Sequence, residues 1–212
     1  MTPFTTFTAV SASLPDADVD TDIIYPARFL LITEKKGLGR YAFYEKRFDP
    51  AGAERPDFLL NRKPFREAGI IVAGANFGCG SSREQAPWAL ADLGIRCIIA
   101  PSFGEIFFGN CFKNGMLPIV LDGEPLARLR ADAEAGAMLT VDLDTCLVIR
   151  PTGDPIAFTV DPWRREALLN GWDEVSTILA RRSDDIAAFE RHQQLARPWL
   201  WQRDAQENDA HG

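Results

Sequence analysis

Two adjacent serines and an arginine, Ser81-Ser82-Arg83, follow a glycine-rich stretch, Gly74-Ala75-Asn76-Phe77-Gly78-Cys79-Gly80. A guanidinium can grip a carboxylate through two parallel hydrogen bonds. A serine accepts a proton only when its alkoxide is stabilised. Converging backbone N–H groups, a helix dipole and a nearby guanidinium all push that way. The combination suits abstraction of a proton next to a carboxylate. A plainer reading stays open beside it. Ser81-x-x-Glu84 and Ser82-x-x-Gln85 both match the pattern that caps a helix start. Gly78 and Gly80 would then only supply backbone angles closed to other residues.

Better-known glycine loops do not fit. A dinucleotide fingerprint needs a third glycine where Arg83 stands, and a phosphate-binding P-loop needs four residues between its glycines and then a lysine. A nucleophile elbow needs glycine two residues after the serine, where Arg83 or Glu84 stands.

The elements that must position these residues read as alternating strands and helices. An apolar run at 70–73 predicts a buried strand, and 84–93 a helix. Residues 97–100 predict a second strand. Residues 103–114 predict a helix with Ser102 as its cap and Gly115 as its stop. Residues 117–121 predict a third strand. This spacing argues for parallel crossovers. A loosely alternating stretch at 4–13 reads as a first strand, 27–66 as short helices and loops, and 124–135 as a further helix. Beyond it come strands at 138–142, 147–150 and 156–160, then helices at 162–170 (ended by Gly171) and 183–192 (capped by Ser183). The fold class is α/β, a partly parallel sheet flanked by helices with a β-rich second half. One domain is expected over 1–195, with a flexible tail at 196–212.

Composition narrows the function. A net charge of −7 argues against a nucleic-acid footprint. No apolar stretch is long enough to span a bilayer, and the N-terminus lacks the basic and apolar regions of a secretory signal. A cytoplasmic protein with reduced thiols is expected. The four cysteines, Cys79, Cys97, Cys111 and Cys146, are irregularly spaced with no histidine set nearby, so no metal site is expected in this chain. Cys79 could be a reactive thiol, although a quiet packed one is the better reading. The two histidines, His192 and His211, lie near the C-terminus, which leaves no histidine base near Ser81.

A second acidic segment runs Asp16-Ala17-Asp18-Val19-Asp20-Thr21-Asp22-Ile23-Ile24-Tyr25-Pro26. Its alternating aspartates do not make an EF-hand. Counted from Asp18, Ile23 falls at the glycine position and Phe29 at the bidentate glutamate. A solvated loop capped by Thr21 and Asp22 is the simple reading.

Taken together, Gly78-Cys79-Gly80-Ser81-Ser82-Arg83-Glu84, Asp18-Val19-Asp20-Thr21-Asp22-Ile23-Ile24-Tyr25-Pro26, Ala86-Pro87-Trp88-Ala89-Leu90 and Ile99-Ala100-Pro101-Ser102-Phe103-Gly104-Glu105-Ile106-Phe107-Phe108-Gly109-Asn110 resemble the swivel domain of the aconitase superfamily. Within it they are similar to the small-subunit family of the bacterial 3-isopropylmalate dehydratases. The resemblance covers about residues 5–192.

It implies an aconitase-type swivelling β/β/α domain. It also implies a hydro-lyase active only with a separate large subunit, whose own cysteines hold a [4Fe–4S] cluster. That iron would act as Lewis acid. By the resemblance Ser81 is the catalytic base. Ser82 and Arg83, with Gly80, bind a substrate carboxylate. Thr21 and Asp22 border the site, where Asp22 would orient a group from the large subunit. Arg28, Phe29, Leu30 and Leu31 approach the variable substituent of the substrate, though the three apolar ones could equally be core. The reaction would remove and re-add water between 2- and 3-isopropylmalate through 2-isopropylmaleate, in leucine biosynthesis. One position departs: Gln85 stands where the family usually has histidine, and glutamine carries no proton at neutral pH.

Two other functions remain open. One is the small subunit of a related hydro-lyase acting on homocitrate, citramalate or dimethylmalate. The other is a non-catalytic module that uses the turn only to hold an anion.

Overall fold

The computed structural model describes residues 1–32 and 34–201. The chain divides into two compact units, Met1–Asp173 and a second beginning at Glu174.

The first unit is built on a seven-stranded sheet. In chain order it comprises β1 (Thr6–Leu14), α1 (Thr21–Ile24), α2 (Tyr44–Arg47), β2 (Ala68–Ala73), α3 (Gln85–Asp92), β3 (Cys97–Ala100), α4 (Glu105–Lys113), β4 (Leu117–Val120), α5 (Gly123–Glu134), β5 (Met138–Asp142), β6 (Leu147–Ile149), β7 (Pro155–Ala157) and α6 (Pro162–Asn170). Short 3-10 turns fill the stretch between α1 and β2. The strand order is β4-β3-β2-β1-β5-β6-β7. Strands β1 to β4 run parallel, while β5, β6 and β7 pair antiparallel. This is the partly parallel sheet with a β-rich second half that the pattern predicts. The strand expected at 156–160 is β7, shorter and shifted toward Pro155.

Strand β2 shows why the parallel half forms. All six of its residues are buried, as a strand covered on both faces requires. Because side chains alternate, Ile71 and Ala73 enter one core with Ile24, Tyr25, Leu38, Ala86, Leu90 and Phe107. Ile70 and Val72 enter the other with Leu126, Leu129, Leu139, Val148 and Leu168. Each fully buried Ile or Val contributes about 1.5–3 kcal/mol. Arg150 of the loop after β6 fastens α5 to the sheet. Its Nε and Nη2 donate to the two carboxylate oxygens of Asp132 at 2.6 and 3.0 Å.

One helix start differs from expectation, and another helix lies where it is expected. Ser102 does not cap α4. Phe77 and Phe103 form a short parallel bridge, which keeps that segment extended, so the helix starts at Glu105 behind Gly104 with no side-chain cap. Asp161 caps α6 through the N–H groups of Trp163 and Arg164, and Gly171 ends it at φ 66°.

The second unit carries α7 (Glu174–Ala196) and a 3-10 turn over Pro198–Leu200. A break at Arg182 (φ −127°, ψ 16°) divides α7 directly before the expected cap Ser183, so the helix expected at 183–192 is the part that follows the break. Most of the tail expected at 196–212 lies outside the described residues. Among the described residues no helix is long and apolar enough to cross a membrane.

Candidate active site

The glycine–serine stretch leaves β2 at its C-terminal end and is laced to two neighbouring segments. On one side lies the acidic segment before α1. The N–H of Asp18 donates to the Ala75 carbonyl at 2.9 Å, that of Gly78 to Val19 at 2.7 Å, and that of Thr21 to Cys79 at 2.9 Å. On the other side lies the turn after β3. The N–H of Asn76 donates to Ser102 Oγ at 2.8 Å, that of Phe77 to the Ser102 carbonyl at 3.1 Å, and that of Gly104 to Phe77 at 3.0 Å. Ser102 thus pins the glycine–serine turn rather than its own helix. Asn76 sits at φ 56°, and its side-chain amide donates to Asp18 at 2.7 Å.

Gly78 is required twice over. Its φ is +73°, and a Cβ there would fall on the Phe107 ring. The backbone then passes Gly80 (φ +88°) and reaches the serines.

Ser81 and Ser82 are both exposed. The carbonyl of Ser81 is held by the buried Thr21, whose Oγ1 donates at 2.8 Å. The hydroxyls of Ser81 and Ser82 make no hydrogen bond to any described residue. Neither caps α3, which starts at Gln85 behind Glu84 without a side-chain cap. The capping reading is therefore corrected. Thr21 ties down Ser81 and Asp22 ties down Arg83, so helical geometry begins only after them. The backbone N–H groups of residues 80–84 likewise donate to no acceptor among the described residues. They form a row of open donors beside the two hydroxyls, of the kind that receives an anion.

Arg83 is 14% exposed at its side chain. Its Nη1 donates to Asp22 Oδ1 at 2.6 Å and to the Tyr25 carbonyl at 3.3 Å. Its Nε and Nη2 have no acceptor among the described residues. Asp22 Oδ1 also accepts the Ala27 N–H at 2.7 Å. The Arg83 hydrogen bond, and after it the Ala27 N–H, hold the Asp22 carboxyl below the usual carboxylate range. Asp20 caps the short α1 through the N–H groups of Asp22 and Ile23 at 2.9 and 2.7 Å. This fixes the backbone from which Asp22 projects.

The four residues read as approaching the substrate separate. Arg28 pairs with Glu45 at 2.9 Å and lies over the rings of Phe29 and Tyr44. Phe29 stacks on Tyr41 with centroids 4.4 Å apart, and Leu30 packs on the core. Leu31 is 94% exposed. Asp22 and Arg28 share a cleft of 370 Å³ with Glu45 and Lys46. Neither of these last two is marked by any sequence motif, since they lie in a stretch without clear periodicity. Gln85 is half-buried at the start of α3.

Cys79 is half-buried, and burial first, then Asp18 and Asp20, push its thiol pKa up. A protonated thiol is a poor nucleophile, which favours the packed reading over the reactive one. Among the described residues no group of three His, Cys, Asp or Glu side chains could hold a metal ion, so the residues present do not fit a cluster. His192 is exposed on α7, and His211 lies outside the described residues.

Comparison with known proteins agrees along the chain. The family model described as the aconitase C-terminal domain matches residues 1–124, and a second, LeuD_N, matches 127–162. The 3-isopropylmalate dehydratase small subunit of Rhodospirillum centenum is 53% identical over 201 residues, covering 94% of this chain and 98% of that one. The subunit of the same name from Paramagnetospirillum magneticum is 53% identical over 202 residues, covering 94% and 100%. A crystal structure of 3-isopropylmalate dehydratase from Methanocaldococcus jannaschii superposes with a TM-score of 0.64 at 26% identity, covering 86% of this chain and 99% of that one.

Proposed function

The chain belongs to the family of 3-isopropylmalate dehydratase small subunits, hydro-lyase subunits of leucine biosynthesis with the aconitase C-terminal fold, and from that membership we propose how its own residues act. A small subunit implies a large one. The large subunit would carry the [4Fe–4S] cluster, whose Lewis acidity would loosen the substrate hydroxyl. Everything else falls to this chain.

The substrate carboxylate docks on Arg83, using the Nε and Nη2 donors that Asp22 leaves open, with Ser82 and the N–H of Gly80 completing the grip. Asp22 is a positioning residue. It holds Nη1 so that the free edge of the guanidinium stays aimed. Ser81 Oγ, stabilised as an alkoxide by Arg83 and the open N–H groups, takes the proton from the carbon next to the carboxylate as hydroxide leaves. It then returns that proton as water adds back across the double bond of 2-isopropylmaleate. Water added in the opposite sense converts 2-isopropylmalate into 3-isopropylmalate. Leu31, projecting outward, is the residue of the Arg28–Phe29–Leu30–Leu31 stretch placed to meet an isopropyl group.

The observation that carries this reading is the exposed serine pair beside unpaired backbone donors and a half-satisfied, well-anchored guanidinium. The test is reconstitution with the large subunit and assay against 2-isopropylmalate, 3-isopropylmalate, homocitrate, citramalate and dimethylmalate. Preference for either isopropylmalate is expected. A clear preference for a diacid lacking the isopropyl group assigns the chain to a related hydro-lyase and overturns the substrate. Failure to assemble or turn over overturns the enzyme reading.

A further inference from the structure

At the opposite end of the parallel strands lies a cleft of 560 Å³. It opens beside the residues that enter β3 and β4; Arg96 lies six residues, about 20 Å of extended chain, before Ser102, which pins Asn76 and Phe77. In a chain of net charge −7 its lining is basic. Lys35, Lys36, Arg96 and Lys113 face two carboxylates, Asp92 and Asp173. The Asp92 carboxylate is already engaged, because its oxygens accept the N–H groups of Gly37 at 3.1 Å and Gly39 at 2.7 Å.

Arg96 is the informative member. It is half-buried, and among the described residues no carboxylate lies within ion-pair distance of it. Its Nη2 reaches only the carbonyls of Thr2 and Pro3, at 3.4 and 3.3 Å. The rings of Phe4 and Phe7 hold the guanidinium at 5.0 and 5.6 Å. Burial lowers its pKa. A partly desolvated, rigidly held cation with no ion-pair partner gains when an anion arrives. Lys35 is positioned as well. Its Nζ sits 4.5 Å from the Trp88 ring centroid and 3.4 Å from Asn114 Oδ1, and the same oxygen accepts Trp88 Nε1 at 2.8 Å.

We propose that this cleft is a binding site for a small carboxylate or phosphate anion, with Arg96 as the anchoring fork, Lys35 and Lys36 as the closing charges and Trp88 as an apolar wall. Two covalent routes lead from it to Ser81–Arg83. Helix α3 carries Trp88 and begins two residues after Arg83. The segment bearing Lys35 and Lys36 runs back to Ala27, whose N–H bonds Asp22.

The test is calorimetric titration of the full chain, alone and with the large subunit, with inorganic phosphate, 4-methylpentanoate and the neutral 4-methylpentanamide. At least one of the two anions should bind, and which one does identifies the source. Affinity should weaken about tenfold in Arg96→Gln and by a smaller factor in Lys36→Gln, an exposed site where folding is not at stake. It should also fall with added salt and be unchanged in Arg83→Gln. The amide should not bind. Binding by neither anion, equal binding by the amide, wild-type affinity in both Arg96→Gln and Lys36→Gln, or loss in Arg83→Gln would each overturn the proposal.

Discussion

Replacing Ser81 by alanine separates a base from a helix cap. If Ser81 capped α3, its loss would cost about 1 kcal/mol, a fall of about 2–4 °C in Tm for a chain of this size. The geometry predicts otherwise. Helix α3 begins four residues later, the Ser81 hydroxyl bonds no described residue, and the bond to Thr21 uses the carbonyl, which alanine keeps. An exposed substitution of this kind should stay within about 0.5 kcal/mol. Turnover should behave in the opposite way. Removing a positioned proton-transfer group costs roughly 10²–10⁴ in kcat, with little change in KM, because the carboxylate grip stays in place. The measurements are calorimetric melting of the isolated chain, size-exclusion chromatography with the large subunit, and steady-state rates of the complex. A Tm lowered by 2–4 °C with turnover kept would refute the reasoning.

Asp22→Asn keeps an acceptor for Ala27 but removes the charge that aims Arg83, so KM for the diacid should rise about tenfold with a smaller change in kcat. An unchanged KM would show that Arg83 is aimed by other contacts. The same carboxyl sets a pH signature. Its folded pKa lies below the ordinary aspartate value, so the stability it adds is present above that ordinary value and lost as pH falls through the lower folded one. Half exposed, it contributes well under about 1 kcal/mol. Urea midpoints of wild type and Asp22→Asn should differ slightly near neutrality and converge in strong acid, and a gap that widens on acidification would contradict this. Gly78→Ala combines a left-handed backbone with collision against Phe107 and should cost about 2–4 kcal/mol, read from the urea midpoint.

The parts of the fold legible in the sequence were those where one local rule dominates. Strand β3, β5 and α6 lie where the apolar runs and the Pro162/Gly171 punctuation place them. Element ends that depend on partners were not legible. Ser102 looks like a cap until Phe103 is seen pairing with Phe77. The break in α7 at Arg182, by contrast, falls directly before Ser183, a residue type that signals a helix start. At the site, residue types and spacing pointed to Ser81, Ser82 and Arg83, and the family resemblance added Thr21 and Asp22; the structure brings these five together. It does not bring Phe29 or Leu30 to them, because ring stacking and core contacts claim both. The contact between Asp22 and Arg83 joins residues 61 apart in the chain, and no local pattern announces it. The cleft around Arg96 was invisible for the same reason, since its lining comes from five separate stretches of chain.

The sheet order sets a rule for biogenesis. The first strand to leave the ribosome is an interior one, with Val10 aligned to Ala68 on one flank and to Met138 on the other. Until both partners have been synthesised, β1 has two unfilled edges that can pair with a neighbouring nascent chain. Closure must therefore wait for most of the polypeptide, and such long-range pairing makes folding slow. Yield should respond to translation speed and chaperone supply more than to substitutions near the late strand β7.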